Sequence, residues 1–200
     1  MYNGMMNVYK EKGYTSSDVV ARLRGILKMK KIGHTGTLDP DAEGVLPVCL
    51  GNGTKICDLI ADRDKEYIAV MRLGVTTDTQ DMTGTCLERM EDEAVREAVT
   101  QERLLEVCKQ FIGSIDQIPP MYSAVKVNGK RLYQLARQGK TVERKPRQVQ
   151  ICELEVLGID IPLVKMRVRC SKGTYIRTLC HDIGQALGTG AAMESLLRTR

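Results

Sequence analysis

Apolar positions along the chain recur at two spacings, and the changes from one to the other mark out its elements. Val19, Val20, Leu23, Ile26 and Leu27 fall at helical intervals, which predicts a helix capped by Ser16 or Ser17. Its polar side carries Arg22, Arg24, Lys28, Lys30 and Lys31. A short helix is expected over 57–61, and 65–73 reads as a strand of Val and Ile flanked by Tyr67 and Arg72. The Thr-, Asp- and Gly-rich segment 74–90 predicts a long loop, and Leu104, Leu105, Cys108, Phe111 and Ile112 predict a helix over 102–112. Pro119-Pro120 stops that pattern. A short strand over 123–127 then meets Asn128-Gly129, a tight-turn signal, and a short basic helix over 130–137 ends at Gly139. Segments 149–159 and 162–170 alternate like an antiparallel pair. A last helix is expected to start at a Thr174 cap, hold Ile176, Leu179, Ile183, Ala186 and Leu187, and stop at Gly188. Strands and helices do not alternate as βαβ units, so the expected class is α+β, a mixed or antiparallel sheet flanked by helices.

One stretch resists both spacings. Residues 31–55, KIGHTGTLDPDAEGVLPVCLGNGTK, hold five glycines and two prolines, a density that excludes a helix. Val45, Leu46, Val48 and Leu50 require burial, which excludes a plain solvated loop. An ordered, glycine-kinked loop feeding a buried strand satisfies both, and it sets Asp39, in Leu38-Asp39-Pro40, on a fixed turn.

Composition narrows the function classes. With 42% hydrophobic residues in 200, the chain can bury a real core. It has no apolar run of about 18 residues to span a membrane, and its first residues lack the apolar core of a signal peptide. Seven cysteines, an odd number without CxxC spacing, point to reduced thiols and a cytoplasmic setting. Cys180-His181 has no second pair at ligand spacing, so no metal site is expected. The net charge of +5 is modest, but its distribution is uneven. Between 76 and 106 nine acids face three arginines, whereas 121–150 holds eight bases and a single acid, Glu143. Such a basic segment is either a polyanion-binding surface or a solvated loop.

Taken singly, the candidate residues are ordinary. Asp39 before a proline suits any turn, His34 suits a scaffold, Tyr67 a half-buried strand position, and Arg177 a helix start. As a set they are not. The segments KIGHTGTLDPDAEGVLPVCLG, KEYIAVMRLGVTTDTQD, IPPMYSAVKVNGKRLYQLARQG and CSKGTYIRTLCHDIGQALGTGA, in this order, closely resemble the TruB family of tRNA pseudouridine synthases, from about Val8 to Arg200. The resemblance implies the pseudouridine-synthase fold over 1–200 as one catalytic domain, with 121–150 a basic, thumb-like insertion gripping the TΨC stem-loop of tRNA. It implies a cytoplasmic, monomeric isomerase that needs no cofactor.

The resemblance also assigns roles. Asp39 matches the catalytic aspartate, Tyr67 the aromatic that stacks on the target base, and Arg177 the arginine paired with the catalytic carboxylate. His34 matches the histidine that packs into the RNA where the base has flipped out. Tyr175 and Leu196 match residues lining the base pocket, and Lys130 and Arg131 belong to the gripping insertion. These residue types suit the chemistry. The N1–C1′ bond must break and the base rejoin through C5, which calls for an ionised carboxylate, a guanidinium to direct it, and an aromatic platform for an extruded base. Attack at C1′, attack at C6 and a glycal route all remain open, as does a tRNA-binding role without catalysis. Two departures stand out. Lys10-Glu11-Lys12-Gly13-Tyr14-Thr15-Ser16 lacks the proline usual in that motif, which is expected to alter local rigidity and leave activity intact. The chain also stops at Arg200, where family members commonly continue, often into a PUA domain, so a truncated or minimal form is expected.

Overall fold

The computed structural model describes residues 2–127 and 129–200. They form two compact units, one running to Ile68 and including Ser195–Arg200, the other Ala69–Glu194.

The first unit is built on β3 (Glu43–Leu50), the strand that leaves the glycine-kinked loop. β1 (Gly4–Lys10) pairs antiparallel along its whole length, from Gly4 opposite Leu50 to Lys10 opposite Gly44. β2 (Ile32–His34) pairs antiparallel with β3, and the end of β12 (Ala191–Arg198) runs parallel to it, with Arg198 opposite Gly44. The sheet is therefore mixed. The start of β4 (Lys65–Leu73) continues it, Glu66 exchanging backbone bonds with Thr199 and Arg200. The helix α1 (Ser16–Leu27) lays Val20 on Ile32, Leu46, Val48 and Leu50, with Val19, Leu23 and Leu27 at the margin. That is the helical stripe read from the sequence. Its cap is Thr15, one residue before the expected serines, because Thr15 and Asp18 close a reciprocal capping box. A 3-10 turn over Gly51–Ile56 leads to α2 (Cys57–Ala61), as expected.

In the second unit the strand order is β12, β4, β11 (Leu163–Cys170), β10 (Arg147–Asp160), β7 (Gly113–Gln117). β10 and β11 form the expected antiparallel pair. Ala69, Met71 and Leu73 of β4 and Val164, Met166 and Val168 of β11 are buried at alternate positions. α3 (Asp92–Ala98) and α4 (Gln101–Gln110), the latter capped by Thr100, precede β7. α6 (Ile176–Leu187) has eight buried residues and ends at Gly188 in the left-handed region, φ 79°.

Four expectations from the sequence are corrected by the structure. Segment 74–90 is a hairpin, β5 (Val75–Thr77) with β6 (Cys86–Arg89), and its turn carries Asp78, Thr79, Asp81, Thr83 and Thr85. Thr174 does not cap α6. Its hydroxyl donates to the Ser171 carbonyl, and the cap position is Tyr175. The expected strand 123–127 shortens to β8 (Lys126–Val127), paired with β9 (Lys130–Arg131), and only Leu132–Ala136 (α5) is helical after it. The Ser123 and Val125 carbonyls accept instead from Tyr133 and Leu132. Asn128 of the expected Asn128-Gly129 turn lies outside the described residues.

Candidate active site

In the first unit, Asp39 sits on a turn whose neighbours are pinned on both sides. Lys10, at the end of β1, is fully buried. Its ammonium donates to the carbonyls of Glu11 at 3.0 Å, Tyr14 at 2.7 Å and Pro40 at 3.0 Å. Three donors thus meet three acceptors, which is what a buried lysine requires. Burial pushes the Lys10 pKa down, while the charges of Asp41, Asp39 and Glu43 pull it back up. The Gly13 amide donates to the same Pro40 carbonyl at 3.0 Å, from a left-handed conformation (φ 82°) that suits glycine. On the other side, the Ser16 hydroxyl accepts from the Leu38 amide at 2.9 Å. Asp39 itself accepts, through its carbonyl, from the Ala42 amide at 3.1 Å. Its side chain is half-buried. The motif without its proline is therefore scaffolding, and lysine, glycine and serine supply the rigidity.

His34, at the end of β2, is half-buried. Burial lowers its pKa, a hydrogen bond with the Gly36 backbone opposes this, and the nearby Arg198 charge lowers it further. The imidazole is thus neutral at neutral pH. Its Nδ1 is buried without a hydrogen-bond partner. Tyr67, on the inward side of β4, and Leu196, on β12, are both buried.

In the second unit, Arg177 opens α6 and is 4% exposed. Its Nη1 donates to the Thr79 carbonyl at 3.1 Å and approaches Asp81 Oδ2 at 3.4 Å, and its Nη2 donates to the Tyr122 carbonyl at 3.0 Å. Asp81 is held in turn. Its Oδ1 accepts from the Thr79 hydroxyl at 2.7 Å, the Thr83 amide at 3.0 Å and the Thr83 hydroxyl at 2.5 Å. The winding is tight enough that a Cβ at Gly84 would lie 2.3 Å from the Thr79 hydroxyl. Tyr175 is positioned through its backbone: the buried Gln117 side chain accepts from its amide at 3.0 Å and donates to its carbonyl at 3.2 Å.

Lys130 and Arg131 are exposed on β9. Register sets Arg131 opposite Lys126, a like-charge pair that is unfavourable without an anion nearby. Arg131 and Arg137 lie over the Tyr133 ring, 5.9 and 5.5 Å from its centroid. Among the described residues no three His, Cys, Asp or Glu side chains group to hold a metal ion.

The first unit therefore holds Asp39, His34, Tyr67 and Leu196, and the second holds Arg177, Tyr175, Lys130 and Arg131. Sequence reasoning did not single out Lys10, Ser16, Asp81 or Gln117 as parts of these supports. Asp81 lay inside the quoted TTDTQD segment, the one signal available for it.

Residues 24–176 match the model of the TruB family pseudouridylate synthase N-terminal domain, and 177–200 match that of the tRNA pseudouridylate synthase B C-terminal domain. The chain belongs to the TruB family. Among curated relatives, it is 63% identical to the tRNA pseudouridine synthase B of Lachnoclostridium phytofermentans, over 99% of this chain and 66% of that protein. It is 52% identical to that of Clostridium tetani, over 99% of this chain and 67% of that protein. The chain thus spans about two-thirds of the length of the TruB relatives it matches. Among solved structures, a Cbf5–Nop10–Gar1 complex contains a chain with a TM-score of 0.75 and 38% identity, over 98% of this chain and 48% of that one. The fold is that of the pseudouridine synthases, as the resemblance implied. No helix among the described residues is long and apolar enough to cross a membrane.

Proposed function

We propose that the chain carries the catalytic machinery of a tRNA pseudouridine synthase, converting the uridine of the TΨC loop to pseudouridine in the cytoplasm. The observation that carries this reading is the half-buried Asp39, on a turn fixed through Leu38 and Pro40. The relatives named tRNA pseudouridine synthase B support the substrate.

In this reading Asp39 is the carboxylate that engages the nucleoside, Arg177 is the arginine of the catalytic set, and Tyr67 stacks on the flipped base. Tyr175 and Leu196 line the base, and His34 fills the place it vacates. Because the imidazole is neutral, it can enter the RNA without carrying a charge into the stack. Whichever atom Asp39 engages first, the net change is fixed. The C1′–N1 bond breaks, a C1′–C5 bond forms, N1 gains a proton and C5 loses one. Atoms and electrons balance within the nucleotide and solvent, so no redox partner enters. Lys130 and Arg131 bind phosphates of the TΨC stem, the chain acting as a monomer. Replacing both with alanine flattens the dependence of binding on salt by about one unit for each phosphate no longer neutralised.

The proton lost from C5 is the readout. Wild-type chain incubated with tRNA transcript labelled with tritium at uridine C5 releases tritium, and Asp39→Asn does not. Binding of the transcript without release in the wild type would leave a tRNA-binding module in place of an isomerase.

A further inference from the structure

The first unit contains a cavity of about 480 Å³ that none of the assigned roles uses. Its size falls in the range of small-molecule sites, about 300–1,000 Å³. Arg63, Lys65, Arg198 and Arg200 line it, against Asp62 and Asp64, so cations outnumber carboxylates two to one. Thr35 also lines it, one residue after His34.

Arg198 is the unusual member. It is 2% exposed, yet among the described residues no carboxylate lies within ion-pair distance of it. Its Nε donates to the Val45 carbonyl at 2.6 Å, while Nη2 is buried with no acceptor. The backbone beneath is fixed, since Arg198 ends β12 opposite Gly44, where a Cβ would stand 2.1 Å from the Arg198 carbonyl oxygen. The guanidinium has room because position 36 is glycine: a Cβ there would lie 3.3 Å from Arg198 Nη1. A chain that buries a guanidinium with one donor unsatisfied and no counter-charge bears a desolvation cost that an arriving anion removes. Guanidinium forks match tetrahedral oxyanions in charge and donor geometry.

We infer that Arg198, with Thr35 and the rim cations Arg63 and Arg200, forms a phosphate subsite, taking either free phosphate or a phosphodiester of a bound RNA. The RNA case rests on the function proposed above, whereas the free-phosphate case does not. Burial is the larger cause of the lowered His34 pKa, and an anion here offsets the smaller one, the Arg198 charge. Occupancy should therefore be visible at the imidazole.

Two arms test the site. In the first, inorganic phosphate is titrated against chloride at matched ionic strength, followed by thermal melting and by the His34 ring-proton NMR titration. Phosphate at about ten times its Kd should raise the melting temperature by a few degrees and move the His34 pKa upward. Arg198→Gln should weaken phosphate binding about ten-fold or more, as expected when a charge-assisted hydrogen bond is removed. The exposed double variant Arg63→Ser/Arg200→Ser keeps the test open if Arg198→Gln folds poorly, and should weaken binding about three-fold. In the second arm, a TΨC stem-loop RNA carries single uncharged methylphosphonate linkages. At one linkage the wild type should lose about ten-fold in affinity, and the variants should lose no further affinity there.

A response in the first arm alone assigns the subsite to free phosphate, and a variant-dependent linkage assigns it to RNA. Phosphate no better than chloride, together with no linkage that depends on Arg198 or the rim cations, overturns it. If that result accompanies normal tritium release, the subsite falls and the isomerase reading stands. If phosphate binds but tritium release fails, the reverse holds.

Discussion

Two aspartates, Asp39 and Asp81, sit on glycine-containing turns that are fixed at different points. Around Asp39 three fixing bonds end on its neighbours: Lys10 and Gly13 hold the Pro40 carbonyl, and Ser16 holds the Leu38 amide. Around Asp81 they end on the carboxylate, which accepts from Thr79 and from Thr83 twice and stands 3.4 Å from Arg177. One turn is built to aim a carboxylate, and the other uses its carboxylate as a building part. The same residue type therefore predicts different losses on substitution. Removing the aimed group should cost activity and spare the fold, and removing the building part should cost both.

The sharpest break of this contrast is Asp39→Asn. Tritium release should fall by about 10⁴-fold or more, in the range seen when a covalent catalyst is lost. Melting should shift less than for Asp81→Ala, since the bonds from Lys10, Gly13 and Ser16 that hold the turn end on Pro40 and Leu38 and survive the substitution. A large fall in melting temperature would place Asp39 with Asp81 as a structural group. Next is Asp81→Ala. It strips Thr79, Thr83 and Arg177 of an acceptor, so stability should drop by about 2–3 kcal/mol, or roughly 6–9 °C in Tm. Turnover should fall about 10²-fold with KM nearly unchanged, because the guanidinium loses its direction. Unchanged turnover in the folded variant would show that Asp81 supports the loop alone.

Lys10→Met asks whether the first turn acts only through its scaffold. The Glu11 and Tyr14 carbonyls lose their lysine donor and the Pro40 carbonyl keeps that of Gly13, for a cost of about 2 kcal/mol, and kcat should fall about ten-fold as the carboxylate loses its aim. Equal stability losses with kcat intact would separate the scaffold from the chemistry.

The smallest effects are those of pH, and they too have opposite signs in the two units. The folded pKa of His34 is below its ordinary value because of burial, so the unfolded chain binds the extra proton first. Its contribution is present above about pH 6.5 and is lost as pH falls from there toward the folded value. Asp182, on α6, is raised to about 6 by burial. Its protonated form favours the fold, so its contribution is complete below the ordinary carboxylate value near 4 and is lost as pH rises through about 6. Asp182→Asn should therefore raise the melting temperature at pH 7.5 and leave it unchanged at pH 4. His34→Gln should raise it at pH 5.5 relative to wild type more than at pH 7.5. Thermal melts at these three pH values decide both.

How much of this was legible in sequence depended on whether the signal was local. α1, β4 and the β10–β11 pair bury regular stripes, and each was readable from its apolar spacing. Asp39 was readable as a residue on a fixed turn, and the four motifs supplied its role. β1, β6 and β7 were not readable. The four residues of β6 are all exposed, β7 has a single apolar residue, Ile115, in Gly-Ser-Ile-Asp-Gln, and β1 is largely exposed and paired on β3 alone. Such strands exist because a neighbour offers them hydrogen bonds. The Thr15 cap was hidden by three consecutive hydroxyl residues. Asp18, three positions after Thr15, breaks the tie, whereas Ser16 and Ser17 would find Val19 and Val20 there. Gln117 lies 58 residues from the Tyr175 backbone it holds, and Lys10 lies 30 from Pro40. No window of sequence spans either pair.

The Lys10 ammonium has one more consequence, a chemical one. Acylation of a lysine requires a neutral amine whose lone pair can reach the reagent. At Lys10 all three hydrogens are engaged and the group is shut away from solvent. The exposed Lys126, Lys130 and Lys140 should label within the first minutes of treatment, and Lys10 only during moments when β1 lifts from the turn. Once labelled, it cannot return to its three carbonyls. Its labelling rate is thus a built-in clock for how often the Asp39 turn opens.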